Sequence, residues 1–326
     1  MDLFNPGFWL FVAAIAGTYA IMALGLYVQF SLAGLPNFGH VAFMAVAAYA
    51  MAILVVRVAA PLPLAVVGGT GAAVVLAFIV GIPTVRLRAD YLAIATVAAS
   101  EVVRYLAMNL TDLTGGPLGS IGLLGPGQVA MYNTSWLGFV DRLVHAASSF
   151  TGMNFSRDAV VALLVWLLAV IAIAALASLE RSPWGRVMRA IREDETAATA
   201  AGKNVFAFRM QALVLGGVLG AIAGMLLALQ IGVFSPDDYE PTLTFYAYLI
   251  LILGGSNRIW AIPLGAGLFS LLYSGTRFLN FFPLSLIDSG ARAFLRLFLV
   301  GFLLVLFMAL RPEGVLGNRR ELLLEK

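Results

Sequence analysis

The sequence predicts an all-α, polytopic integral membrane protein. Two proportions and one pattern carry that prediction. Of the 326 residues, 61% are hydrophobic and 11% charged, whereas soluble globular chains carry roughly a quarter charged residues. Mean hydropathy is +0.96. The apolar residues gather into runs near the ~20 residues that cross a bilayer. Those runs displace the two soluble domains of ~150 residues that length alone suggests.

The first run covers residues 8–30 and the second 38–56, followed by 62–84 and 90–108. No basic n-region precedes the first run, so it reads as a membrane helix rather than a cleaved signal peptide. A Gly-rich polar segment, 109–158, leads to a fifth run at 159–179, and a charged segment, 180–209, leads to a sixth at 210–233. Three more lie at 243–253, 260–273 and 293–310. The seventh and eighth are short for full spans and read as broken or re-entrant. The count is about nine spans, within a range of eight to ten. They form one transmembrane domain over residues 1–326.

Loop charge orients the spans. Arg181, Arg186, Arg189, Arg192, Lys203 and Arg209 crowd one connection, Arg86 and Arg88 mark another, and Arg311, Arg319, Arg320 and Lys326 lie on the tail. Placing these inside obeys the positive-inside rule. The loop at 109–158 and the acidic "SPDDYEP" turn (235–241) then fall outside, as does the N-terminus, with the C-terminus cytoplasmic. In the outer loop Trp136, Phe139, Val140, Leu143 and Val144 recur at helical spacing. They predict an amphipathic helix, lying on the membrane or packed beneath the loop.

Several function classes drop out. The chain has no cysteine, which excludes disulfides, thiolate metal sites and cysteine nucleophiles. The net charge of +3 sits in a few loops and points to membrane orientation, not nucleic acid. There is no phosphate loop and no HExxH motif. His40 and His145 belong to no ligand pattern, so neither a metal nor a catalytic residue is assigned.

Four features carry the functional reading. "RSPWGRVMRAIREDETAATAAGKNV" predicts a cytoplasmic helix over about 182–202, with Ser182 as N-cap, Pro183 at the first helical position and Gly202 ending it. Trp184, Val187, Met188 and Ile191 form one face, while Arg189, Arg192, Glu193 and Glu195 offer charge. Glu101 and Arg104, three apart in the fourth run, share a helix face and neutralise each other. Unpaired, such charges cost at least ~3 kcal/mol at membrane depth. The pair is either an interhelical tie or a contact for a zwitterionic solute, with Thr96 on the same helix lining the same path. "LTGGPLGS" places Gly115 and Gly116 where backbone can approach a ligand, or where a flexible turn suffices. Finally, "SLAGLPNFGHVAFMAVAAYA" breaks an apolar stretch. It reads either as a cytoplasmic turn or as an intramembrane break in which Asn37, His40 and a helix N-terminus face a solute carboxylate.

The chain resembles the M-type permease subunit of branched-chain amino-acid ABC importers, the Liv type. The resemblance is carried by "SPWGRVMRAIREDETAATAAGKNV", "LRADYLAIATVAASEVVRYLAMNLTDLTGGPLG", "GGSNRIWAIPLGAGLF", "RPEGVLG" and the Gly39-His40, Ala42-Phe43 and Ala48-Tyr49 pairs, in common order over most of the chain. It implies a permease of a bacterial or archaeal cytoplasmic membrane with no ATP site or cofactor of its own. A second permease chain, two ATPase subunits holding ATP and Mg, and a solute-binding protein would complete the importer. It also implies that Glu195, Ala198 and Gly202, with Arg189, Arg192 and Glu193, couple to the ATPase. Thr196 and Asn257-Arg258 depart from the family pattern. The implied solutes are leucine, isoleucine and valine, with urea or short amides as the alternative. From a different class, a stand-alone proton-coupled transporter would use Glu101 or His40, and a scaffold would transport nothing.

Overall fold

The computed structural model describes residues 6–124, 131–255 and 258–275, with isolated residues between 294 and 316. It is all-α among the described residues. The helices, in chain order, are α1 (Pro6–Tyr27), α2 (Val41–Val58), α3 (Leu62–Thr84), α4 (Ala89–Asn109), α5 (Thr111–Thr114), α6 (Ser120–Leu124), α7 (Met131–Thr151), α8 (Arg157–Arg181), α9 (Pro183–Glu193), α10 (Glu195–Ala200), α11 (Val205–Ile231), α12 (Thr242–Gly254) and α13 (Ile262–Gly275). A π-turn, Val28–Leu32, extends α1.

Six of these helices are long and apolar enough to cross a bilayer: α1 with its π-turn, α2, α3, α4, α8 and α11. The pair α12 and α13 meets the same test only together, bent by 107°. The two short runs expected as the seventh and eighth spans are therefore one bent pair. Gly254 allows the bend, since a Cβ there would meet the Ala261 carbonyl oxygen. The run at 293–310 lies largely outside the described residues.

α1 and α11 form the centre and are buried along most of their length. Small residues let them touch: a Cβ at Gly216 would stand 2.5 Å from the Gly25 carbonyl oxygen. Membrane helices, lacking a hydrophobic drive toward one another, pack through such close backbone approach. Around this pair lie α2, α3, α8, α12 and α13. α3, α4 and α8 turn Val67, Ile79, Ile94, Val102, Leu163 and Ile171 outward, the apolar surface expected against lipid.

Two sequence expectations are revised in shape. The segment 109–158 contains the expected amphipathic helix as α7, packed on the bundle, and adds the short helices α5 and α6. Its α7 is long and seats Tyr132, Trp136 and Val140 in the core, with the Tyr132 hydroxyl shared between the carbonyls of Ala228, on α11, and Gly232, just past its end. The single helix expected over 182–202 is two, α9 and α10. They part at Asp194, which leaves helical geometry and caps α10 by accepting from the Ala197 N–H at 2.9 Å. A capping aspartate satisfies donors that an unbroken helix would not expose there.

Gly216→Val should lower the thermal midpoint of the detergent-solubilised chain, because overpacking a close helix contact costs about 1–3 kcal/mol. Gly267→Ala, with nothing within 4 Å of the added Cβ, should leave it unchanged.

Candidate transport site

The chain leaves α1 at one end of the bundle, beside α9, and re-enters without a helix. The π-turn closes through the Ala33 N–H donating to the Val28 carbonyl at 3.2 Å. Gly34 then takes a left-handed φ of 67°, and a Cβ on it would lie 3.0 Å from Arg192 Cγ. Six residues later His40 is seated between Gly25 and Gly220, where a Cβ at either would lie 2.9–3.0 Å from its Cε1 and Nε2. Gly220 is near the middle of α11. Residues 34–40 are thus an irregular link that starts beside α9 and ends with His40 buried beside the middle of α11. α2 starts from that depth.

Irregular backbone is tolerated there only if its polar groups find partners inside the protein. The Leu35 N–H donates to the Gln29 carbonyl at 2.8 Å and the Asn37 N–H to the Leu35 carbonyl at 2.9 Å. Pro36 has no N–H to satisfy. Side chains do the rest: Phe38 N–H donates to Thr96 Oγ1 at 3.1 Å, Gly39 N–H to Asn37 Oδ1 at 2.9 Å, and Val41 N–H to Thr244 Oγ1 at 3.0 Å. Gln29 ties the cluster together. Its Nε2 donates to the Leu213 carbonyl at 3.1 Å, while its Oε1 accepts from Asn37 Nδ2 at 2.9 Å. That same Oε1 lies 3.2 Å from His40 Nδ1. An amide oxygen only accepts, so His40 donates to it from Nδ1. Nε2 has no hydrogen-bond partner and faces the two glycines.

A second chain reversal meets the first. The turn Pro236–Tyr239 folds inward until Tyr239 Oη donates to the Gly224 carbonyl at 3.0 Å. α12 then starts next to the start of α2, through Thr244. Both helix N-termini, with their partial positive charge, lie at one level. Beside them Phe38 stacks on Tyr248 with centroids 4.5 Å apart, and Phe30 and Phe245 complete an aromatic cluster. Phe245 is exposed and Phe38 half-buried, so this cluster opens to the surface.

Glu101 and Arg104 do pair, at 2.8 Å, and Arg104 also reaches Asp237 at 2.8 Å. The arginine side chain, 16% exposed, therefore ties α4 to the inward turn. Thr96 is committed to the break: its hydroxyl donates to the Ala93 carbonyl at 2.9 Å and accepts from Phe38. The N–H groups of Gly115 and Gly116 are used locally, on the Thr111 carbonyl and Thr114 Oγ1. What that turn supplies is shape, packing Gly119 against the Phe234 carbonyl oxygen. Among the described residues no group of three His, Asp or Glu side chains is placed to hold a metal ion.

At the arginine-rich end, Ser182 Oγ accepts from the Trp184 N–H, Pro183 opens α9, and Gly202 ends the element at φ 77°. Met188 and Ile191 are buried against the bundle, and Ala198 packs with Ile191 and Val205. The charges divide. Arg189 binds the Glu180 carbonyl, Glu195 pairs with Arg209 at 2.9 Å, and Arg192 Nη1 donates to the Ser31 carbonyl inside the π-turn. Glu193, Thr196, Ala197, Thr199 and Gly202 face outward.

The family described as "Branched-chain amino acid transport system / permease component" matches residues 8–308. The chain belongs to that family. Its relatives include the Escherichia coli high-affinity branched-chain amino acid transport system permease protein LivM, 31% identical over 318 residues, which are 95% of this chain and 70% of the relative. A probable LivM of Methanocaldococcus jannaschii is 26% identical over 76% of this chain and 75% of the relative. The Escherichia coli permease protein LivH is 27% identical over 93% of this chain and 92% of the relative. No solved structure matches the chain. For a permease of this family, the sequence reading missed Gln29, Thr244 and Asp237. Gln29 had a signal: an amide inside an apolar run is costly unless it has work to do.

Gln29→Leu should strand Asn37 Nδ2 and His40 Nδ1, at about 1–3 kcal/mol each. The expected outcome is loss of monodisperse protein on size-exclusion chromatography. Gln29→Glu should be no milder, because it sets a second carboxyl oxygen against the Leu213 carbonyl in place of the donating Nε2.

Proposed function

We propose that this permease is a membrane subunit of an ATP-driven importer of branched-chain amino acids, leucine, isoleucine and valine. The observation that carries the proposal is the contact between α9 and the break. Arg192 lies on the element facing out of the bundle at its arginine-rich end, and it holds the Ser31 carbonyl of the π-turn that follows α1. A push on α9 would be felt first at Gly34, which packs on the same side chain. Glu193, Thr196 and Gly202 are the outward residues an ATPase subunit would meet. Ala198 supports them from beneath.

In this reading the arginine-rich end is cytoplasmic, as the positive-inside rule has it, and the N-terminus lies on the opposite side. The solute path runs beside the aromatic cluster and the paired N-termini of α2 and α12, with Glu101, Arg104 and Asp237 at its outer end. Asn37, His40 and Thr96 build the wall rather than touch solute. A second permease chain completes the path. Escherichia coli has relatives of this chain under both permease names, LivM and LivH, which supports a pair of unlike subunits. Two ATPase subunits with ATP and Mg, and a solute-binding protein, complete the assembly. Urea and short amides are the competing solutes.

Uptake should be measured in proteoliposomes holding the whole assembly. Arg192→Ala should cut leucine uptake at least about tenfold, as expected for losing a charged hydrogen bond, while ATP hydrolysis persists. Uptake by the permease without ATPase, abolished by collapsing a proton gradient, would overturn the importer reading. A bulky substitution of Gly202 should likewise separate hydrolysis from uptake; wild-type uptake would remove Gly202 from the coupling surface.

A further inference from the structure

Two stretches that match the family pattern, "GGSNRIWAIPLGAGLF" at 254–269 and "RPEGVLG" at 311–317, are far apart in sequence and meet in the fold. The Val315 N–H donates to the Leu253 carbonyl at 2.9 Å, and the Leu316 N–H to the Gly254 carbonyl at 3.1 Å. These acceptors belong to the last two residues of α12. The Leu316 side chain is 40% exposed, so the backbone rather than the side chain makes this attachment.

The end of a helix leaves carbonyls without a partner in the helix itself, and this end is buried at Leu251, Leu253, Gly254 and Gly255. The Leu251 carbonyl is met locally by the Gly255 N–H at 2.9 Å, with Gly255 at a φ of 118°. The next N–H groups turn away. Arg258 donates to the Gly255 carbonyl at 3.3 Å and Ala261 to the Arg258 carbonyl at 2.9 Å. The Leu253 and Gly254 carbonyls are met from the tail. α13 rests directly on this part of α12, since a Cβ at Gly265 would overlap the Ile250 carbonyl oxygen.

The geometry points to Val315 and Leu316 as positioning residues for transport: their N–H groups cap α12 and fix where it sits along its axis. α12 has 13 residues, about 20 Å of helix, against a hydrocarbon core of about 30 Å. It is too short to be placed by reaching both membrane surfaces, so bonds at its ends place it. At one end Thr244 accepts from the Val41 N–H. At the other the tail holds the carbonyls. Between them Phe245 and Tyr248 pack on Phe38. Without the cap the last turn of α12 unwinds and the helix shifts against the start of α2. The consequence for transport rests on the importer reading; the cap itself does not.

Hydrogen–deuterium exchange of the full-length chain in lipid nanodiscs tests the cap. The Val315 and Leu316 amides should exchange at least about fivefold more slowly than free peptide, as one net hydrogen bond gives. Val315→Pro and Leu316→Pro, which lack the N–H, should speed exchange in the last turn of α12 by a similar factor and leave the centres of α1 and α11 unchanged. Val315→Ala and Leu316→Ala, which keep it, should match the wild type. In proteoliposomes holding the whole assembly, the proline variants should raise the ATP hydrolysed per leucine taken up about fivefold, a ratio that loss of folded protein does not move. Free-peptide exchange of the two amides in the wild-type chain would overturn the proposal, whether or not the variants fold. So would proline variants with wild-type exchange in α12 or an unchanged ratio, or alanine variants as damaging as the prolines. If the wild-type assembly takes up no leucine, the importer reading fails and the exchange result alone decides the cap.

Discussion

Seven residues without helix, 34–40, link α1 to α2 through a largely buried path, and the N–H groups buried along it have to be met from within. Most of this fold follows from how that is done. Gln29 reaches back across the break to Asn37 and His40 and sideways to α11. Thr96 fixes α4 against the break and Thr244 fixes α12 against the start of α2. Remove the break, and those three helices have no common polar partner. The glycines of α1 and α11 serve the same end, since only their missing side chains leave room for the His40 ring.

Such a junction differs mechanically from a continuous span. A helix resists bending along its whole hydrogen-bond ladder, whereas a break held by a few side-chain bonds can exchange partners one by one. At one margin the break touches Arg192 of α9, and at the other Val41, which follows it, is bonded to Thr244 of α12.

Much was legible in the residues themselves. Run length and composition gave six of the spans, because a bilayer allows only backbone whose hydrogen bonds close internally. The Ser182–Pro183 start and the Gly202 end of the arginine-rich element were local chemistry, read from the neighbours in sequence. The Glu101–Arg104 pair follows from helical spacing alone. Asp194 was equally local, yet the good helix formers around it hid the cap that splits the element in two.

Other features depended on chain reversals that no local pattern encodes. Whether residues 34–40 formed a surface turn or a buried break turned on Gly25, Gly216 and Gly220, and their placement requires the packing of α1 on α11. Asp237 met Arg104, and Thr244 met Val41, across long separations in sequence. The sequence by itself therefore determined which segments span and which ends of helices are capped, since those are set by hydrophobic length and adjacent donors. Only the tertiary structure decided which polar side chains become the partners of the broken backbone, because that choice depends on which helices come close enough to share a hydrogen bond.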